Sequence, residues 1–390
     1  MHISIRLFRK KVIASIVYYM FYFVLLLIRI YKGSSKTARN TVLVIDLELI
    51  GDAVMVTPMI RNLLLNIDKV HSLDILCLNN QREIYETCTG IRNIFCLSGK
   101  AKFLKGSKIM RPLRKITYFF QIMQYVFRNL YSNYSTVIVP RWDADEECSA
   151  IVALMTDADE RIAYSEKVSE FKALHNTGRD MYFTKTFLCN AACHESEKFL
   201  RLIEQAGYCV YDHTISLPYE SIESFQGVPL QRPYAVLALD TSKEDREWKI
   251  ENFIEVGGWL VERKMHIILL GTKKEYADKF TNMLGREFCT SLVGRTTLAD
   301  AINIIGDSSI YLGGNTGLSH IAGAVGAKGV VLFSIYDDEP DSDPAAPLRM
   351  RPKSDRIIVL QPKRSESSKM MKPINVIKPA DVIKQIETML

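Results

Sequence analysis

Apolar and polar positions along the chain fall into two recurring patterns. Thr41–Asp46 (TVLVID) is an unbroken apolar, β-branched run, as expected for a strand covered on both faces of a parallel sheet. Directly after it, Val54, Met55, Met59, Leu63 and Leu64 recur at helical spacing. Residues 73–78, 94–97, 135–140 and 161–164 read as further strands, and 194–206 reads as an amphipathic helix ending at Gly207. Past a polar stretch with a glycine and prolines, the pattern returns. Strands are expected at 234–239, 266–271, 310–313 and 329–334, separated by helices starting near Glu251, Lys274, Leu298 and Gly317. Residues 341–353 read as a loop and 380–390 as a closing helix. Such alternation implies an α/β protein with parallel strands and right-handed crossovers. The expected organisation is 1–35, an apolar segment with basic flanks; 36–217, a first Rossmann-like domain; 218–233, a linker; and 234–390, a second Rossmann-like domain.

The segment 12–30 departs from both patterns. It is almost wholly apolar, with Arg6, Arg9, Lys10 and Lys11 before it and Arg29, Lys32, Lys36 and Arg39 at its end. As a helix it is long enough to cross a hydrocarbon core of roughly 30 Å. A cleaved signal peptide is the competing reading, but the apolar run is long for one and no A-x-A-like site follows. An in-plane anchor competes too, although the segment is apolar all round. Membrane attachment is the expectation. Orientation stays open because both flanks are basic. Residues 100–134 form a second basic and aromatic stretch. It reads equally as a solvated loop leading into a core helix and as a surface lying on anionic lipid or phosphorylated glycolipid.

Composition narrows the function classes. The net charge of +6 over 390 residues suits phosphates or anionic lipid without demanding nucleic acid, and no nucleic-acid-binding signature is visible. The 8 cysteines are scattered, as reduced core thiols would be. Cys189, Cys193 and His194 could share a helical face, but no fourth ligand is evident, and no metal is expected. The missing G-x-G-x-x-G after a strand weighs against an NAD-dependent oxidoreductase.

Three strand ends could carry chemistry. Gly51 permits close backbone approach, and Asp52 at the following helix start is a helix cap or a base. The loop from Asp240 to Trp248 offers the hydroxyls of Thr241 and Ser242 with the cations Lys243 and Arg246, a set suited to phosphate or to ordinary capping. Gly313-Gly-Asn315-Thr316-Gly317-Leu318-Ser-His320 joins a strand to a helix N-terminus that favours an anion. Two anion-suited strand ends in one domain and a carboxylate in the other describe an interdomain cleft for a diphosphate ligand.

In order and spacing, the opening strand with its GD helix and Pro58, then RWDADEE, RIAYSE, HESEKFL, TSKEDREW and NTGLSHIAGAVG followed by VVLFS, resemble glycosyltransferase family 9, the bacterial lipopolysaccharide heptosyltransferases. The resemblance runs from about residue 41 onward. It implies a GT-B fold, two Rossmann-like domains facing across a cleft, the first taking an acceptor and the second a nucleotide sugar. It implies Asp52 as catalytic base of an inverting transfer. Thr241, Ser242, Arg246, Thr316, Gly317 and Leu318 become contacts to the donor phosphates, and His320 a possible donor-site residue. It further implies an ADP-linked heptose donor without metal or other cofactor, and a lipid-linked saccharide acceptor. The place of work would be the cytoplasmic face of the inner membrane, because nucleotide sugars are cytosolic. Two positions depart from the family pattern. Asn315 stands where an Asp contacts the donor sugar, and Asp46 stands where a basic residue follows the opening strand. These departures leave two alternatives open, a same-family transferase using another nucleotide sugar and a non-catalytic membrane-bound scaffold.

Overall fold

The computed structural model describes residues 2–32, 40–98, 111–129, 134–189, 192–241, 243–341, 343, 345–364 and 372–390. Ser242 and most of the basic run before residue 111 lie outside these. The chain forms two compact units. One comprises Met1–Leu49 with Val56–His213, the other Ile50–Met55 with Thr214–Leu390.

The first unit opens with helix α1 (His2–Lys32), followed by β1 (Thr41–Asp46), α2 (Ile50–Leu65), β2 (Ser72–Leu78), α3 (Arg82–Glu86) and β3 (Ile91–Leu97). Then come α4 (Arg111–Asn129), β4 (Thr136–Val139), α5 (Ser149–Met155), β5 (Glu160–Tyr164), α6 (Glu170–His175), β6 (Lys185–Phe187) and α7 (Glu195–Gln205). Its sheet is parallel throughout, in the order β3-β2-β1-β4-β5-β6. β1 is central and buried along its whole length, which explains its unbroken apolar run. One sheet face packs Leu43, Ile45, Leu76 and Val137 against Tyr118 and Ile122 of α4 and Val152 of α5. Each such fully buried aliphatic side chain contributes about 1.5–3 kcal/mol.

Two amides fasten the chain where it leaves this unit. Asn62 Nδ2 donates to the carbonyls of Pro58 (2.8 Å) and Asp212 (2.6 Å), and its Oδ1 accepts from Tyr211 N at 2.6 Å. Asn66, one helical turn on, donates to Cys209 O and accepts from Cys209 N, both at 2.9 Å. Both side chains are buried, so α2 holds the extended segment 209–212 through satisfied buried hydrogen bonds.

The second unit carries a small antiparallel hairpin, β7 (Ser224–Phe225) with β8 (Val228–Pro229), then β9 (Tyr234–Ala238), α8 (Ile250–Glu262), β10 (His266–Leu270) and α9 (Lys274–Leu284). There follow β11 (Cys289–Ser291), α10 (Leu298–Gly306), β12 (Ile310–Gly314), α11 (Gly317–Ala324), β13 (Gly329–Leu332), α12 (Pro347–Met350), β14 (Ile357–Leu360) and α13 (Pro379–Glu387). The six main strands repeat the first unit's plan, in the order β11-β10-β9-β12-β13-β14, all parallel. In each sheet the strand order reverses beside the first strand, between β1 and β4 and between β9 and β12. Ligands of open α/β sheets bind at the carboxyl ends of such strands.

Several boundaries differ from the sequence reading. Residues 218–233 are not a free linker. Leu217 N bonds to Ala324 O (3.0 Å), Glu220 N to Asn303 Oδ1 (2.8 Å) and Ile222 N to Asp307 Oδ2 (2.9 Å), which docks the segment on the second unit. The strands β6 and β11 are three residues long and partly exposed, so they lack an apolar signature, whereas β14 is a short apolar run that the sequence reading passed over. α2 starts at Ile50, so Gly51 and Asp52 both lie inside the helix. The expected loop 341–353 contains the single helical turn α12.

Candidate active site

At the carboxyl edge of the second sheet, β12 runs through Gly313 and Gly314 into a turn from which α11 starts. A methyl group on Gly313 would lie 2.6 Å from the Tyr311 hydroxyl, so only glycine fits. That hydroxyl is 3.0 Å from Ser319 Oγ, and Ser319 donates back to Gly314 O. The turn is thereby held from beneath by two buried hydroxyls, and desolvation pushes the Tyr311 phenol well above its usual range. Asn315 anchors through its backbone N–H to Leu332 O at 3.0 Å, while its side-chain amide has no hydrogen-bond partner among the described residues. Thr316 Oγ1 is buried and makes no hydrogen bond of good geometry. An unsatisfied buried hydroxyl costs roughly 1–3 kcal/mol, so this one is a candidate for a ligand contact. Gly317 and Leu318 follow in the first turn of α11, where free backbone N–H groups and the helix dipole favour an anion.

The loop after β9 reaches the same turn. Thr241 Cγ2 lies 3.1 Å, and the Arg246 carbonyl 3.4 Å, from where a Gly314 Cβ would stand. Thr241 Oγ1 is engaged in its own loop, donating to Lys243 O at 2.6 Å. Arg246 sits in a short 3-10 turn, half-exposed, with no ion pair among the described residues. Lys243 beside it is exposed. Two cations therefore meet an anion-suited helix start. The loop is braced by residues the sequence reading did not single out. Asp240 Oδ2 accepts from Thr272 N (2.7 Å) and Lys273 N (2.5 Å), and Glu247 pairs with Lys273 and accepts from the Tyr276 hydroxyl at 3.0 Å. An Asp closing a strand and answering the next strand's loop was the available signal.

The first turn of α2, Ile50–Met55, belongs to this unit and brings Gly51 and Asp52 with it. A Cβ on Gly51 would lie 2.8 Å from His320 Cδ2, and one on Gly317 would lie 2.7 Å from Ile50 Cγ2. Gly51 is thus required for close approach to the His320 ring. It sits within the helix and forms no turn. His320 is 6% exposed and Asp52 7%. Of the sequence candidates, Gly51, Thr241, Arg246, Asn315, Thr316, Gly317, Leu318 and His320 lie on three adjoining segments of one unit, with Asp52 beside Gly51. Ser242 lies outside the described residues.

The strand ends of the first unit are built differently. Asp46, at the end of β1, is 2% exposed and accepts from the Tyr85 hydroxyl and from Gln81 Nε2 at 3.2 Å. It is an internal tie and makes no ligand surface. Arg141, just past β4, lies 3.5 Å from Glu48. Arg141, Asp145, Tyr164, Lys172 and Arg179 line a cavity of roughly 20 Å³, too small for a saccharide. His194 caps α7 by accepting from Ser196 N at 3.2 Å. Among the described residues, no group of three or more His, Cys, Asp and Glu could hold a metal ion.

Lys172 donates to Arg141 O (2.9 Å) and Tyr164 O (3.0 Å). Desolvation pulls its amine down from 10.5 to about 8. Between those two values the unfolded chain binds the extra proton, so this group's contribution to stability rises with pH, by roughly 3 kcal/mol across the window. Lys172→Met should abolish that rise. Urea unfolding of both proteins at pH 8 and pH 10 measures it; a wild-type-minus-variant difference that does not grow with pH contradicts the assignment.

Two sheets of the same order, each with helices on both faces and one with an anion-suited turn at its switch point, define a double Rossmann-like chain of the GT-B class. Residues 193–373, somewhat under half of the chain, match the family model for glycosyltransferase family 9 (heptosyltransferase). The fold is similar to that of Escherichia coli ADP-heptose LPS heptosyltransferase II, at 15% identity over 90% of this chain and 98% of that one, TM-score 0.64. It is similar also to E. coli heptosyltransferase WaaC with ADP, at 14% identity over 90% of this chain and 99% of that one, TM-score 0.67. In sequence, 132 residues are 24% identical to lipooligosaccharide heptosyltransferase 2 of Haemophilus influenzae; the match covers 33% of this chain and 36% of that curated relative.

Proposed function

We propose that the protein is an inverting glycosyltransferase that moves heptose from ADP-heptose onto a lipid-linked saccharide at the cytoplasmic face of the inner membrane. The observation that carries this reading is the turn into α11. A buried Thr316 hydroxyl without a good partner and a helix start lie beside the Thr241 loop, where Arg246 has no ion pair among the described residues. In this reading the donor diphosphate lies on the backbone N–H groups of Gly317 and Leu318, with Arg246 and Thr241 at its side and Ser242 contributing from the same loop. Asn315 offers its amide to the sugar, and His320 lines the donor side. Asp52 takes the proton of the acceptor hydroxyl as that oxygen bonds to the anomeric carbon. The bond from that carbon to the diphosphate oxygen breaks, and ADP leaves with the electron pair. Attack from the opposite face inverts the centre. Arg246 and the helix start offset the developing charge, so the reading calls on no cofactor or metal.

Relatives bear on the donor. One solved neighbour is heptosyltransferase WaaC with ADP-2-deoxy-2-fluoro heptose. Thermal unfolding with ADP, UDP, GDP and CDP side by side tests the nucleotide. ADP at about 100 times its Kd should add about 2.7 kcal/mol, and stabilisation by none of the four would sink the reading. Thr316→Val separates ligand contact from packing. It should leave the melting temperature of the free protein unchanged or higher while weakening nucleotide binding about tenfold. A variant that melts lower and binds as before would make Thr316 structural.

A further inference from the structure

We infer that α1 lies flat along an anionic membrane leaflet instead of crossing the bilayer, and that the outer face of α4 completes the same lipid-facing surface. The inference concerns attachment and stands apart from the sugar-transfer reading. By length and composition α1 could span, since Leu7–Leu27 has a mean hydropathy of 1.7. Its packing argues otherwise. Ala14 is 6% exposed, and its carbonyl accepts from the Tyr182 hydroxyl at 3.1 Å. Tyr18 stacks on Tyr182 with ring centres 6.4 Å apart, and Phe21 packs against the core beneath α4 and α5. A Cβ on Gly178 would lie 3.1 Å from Ala14 Cβ and 3.3 Å from Lys11 Cα, so the two backbones are in close contact. Lys10 donates to Leu174 O at 2.5 Å.

These contacts run from Lys10 to Phe21, roughly 16 Å of helix, more than half of a hydrocarbon core of about 30 Å. The elements they touch are polar. The turn Arg179–Tyr182 contains the Arg179–Asp145 ion pair at 2.9 Å, with Arg179 partly exposed, and Asp180. A crossing α1 would carry these groups into lipid, where each ion costs several kcal/mol. A helix lying in the interface leaves them in water.

The side turned away from the protein is apolar and exposed. Ile13, Ile16, Met20, Phe23, Leu27 and Ile30 follow one another at steps of three and four, all more than half exposed. On α4, Tyr118, Ile122 and Tyr125 face the core, while Ile116, Phe119, Phe120 and Phe127 are likewise more than half exposed. Both helices pack on α5, which places them on one side of the unit. Charge identifies the partner. α1 and α4 together contain ten Lys and Arg and no Asp or Glu, although the whole chain carries only +6, so the remainder is net negative. Arg9, Lys11 and Arg128 are exposed. Cations concentrated on the two helices with outward apolar faces match anionic lipid headgroups over acyl chains.

Vesicle flotation of the full chain tests this, with phosphatidylcholine vesicles alone or containing roughly a third phosphatidylglycerol. Binding should be stronger to the anionic vesicles. Phe23→Asp and Phe120→Asp, both at positions more than half exposed, should each lower partitioning about tenfold or more while the melting temperature is kept. An epitope tag before residue 1 should be cut by protease added outside, together with the globular units. Protection of the tag inside the vesicles would establish a crossing helix and overturn the inference. So would unchanged partitioning of both variants. So would conversion of a dimer to a monomer by either variant with vesicle binding unaltered, since a second copy would then cover the face.

Discussion

Asp52→Asn is expected to lower sugar transfer by about 10³-fold while ADP still stabilises the protein. The loss of a general base accounts for factors of about 10²–10⁴, or roughly 3–5 kcal/mol in the barrier. The substitution keeps the shape of the side chain at a position 7% exposed. The carboxylate's favourable interaction with the start of α2 is worth about 0.3–1 kcal/mol, well below the expected loss in the barrier. Stability and catalysis therefore separate. Turnover of ADP-heptose on a lipid-linked acceptor, measured beside the ADP-induced shift in melting temperature, gives both numbers. Near-normal turnover would remove Asp52 from the mechanism, and loss of the ADP shift would make it a residue of the donor pocket.

Glu195→Ala should destabilise the first unit by about 3–5 kcal/mol, the largest effect expected of a single substitution away from the site. Glu195 and Lys198 pair within the first turn of α7 with side chains 3% and 0% exposed. The ammonium also sits 4.1 Å above the Trp142 ring. Removing the carboxylate strands a cation that cannot reach water. Replacing both members, Glu195→Leu with Lys198→Met, should recover most of the loss, because the desolvation penalty disappears with the pair. Urea midpoints of the three proteins decide it. A single-variant cost below about 1 kcal/mol would mean that water reaches Lys198.

Much of the architecture was legible because its causes are local. Buried central strands such as β1, β9 and β10 are continuous apolar runs, and the helices between them carry clear periodicity. The edge strands were not legible, because β6 and β11 are three residues long and gain their identity from a neighbour's hydrogen bonds. The site was legible as segments and not as geometry. The glycines and hydroxyls of the β12–α11 turn stand out in sequence. Nothing there shows that Thr316 would be buried without a good partner, or that Gly51 makes room for a histidine 269 positions later. The amide pair Asn62 and Asn66 reads as ordinary helix surface until residues 209–212 are laid against it. Such pairings are tertiary, and no window of sequence contains both halves.

Asp46 carries a consequence for any attempt to place a basic residue at the end of the opening strand. Its carboxylate is enclosed by Tyr85 and Gln81, both themselves fully buried. Grafting a lysine there would set an ammonium against a phenol and an amide whose donors face it. Such a replacement would therefore have to change three side chains together, and a single Asp46→Lys step would be poorly folded.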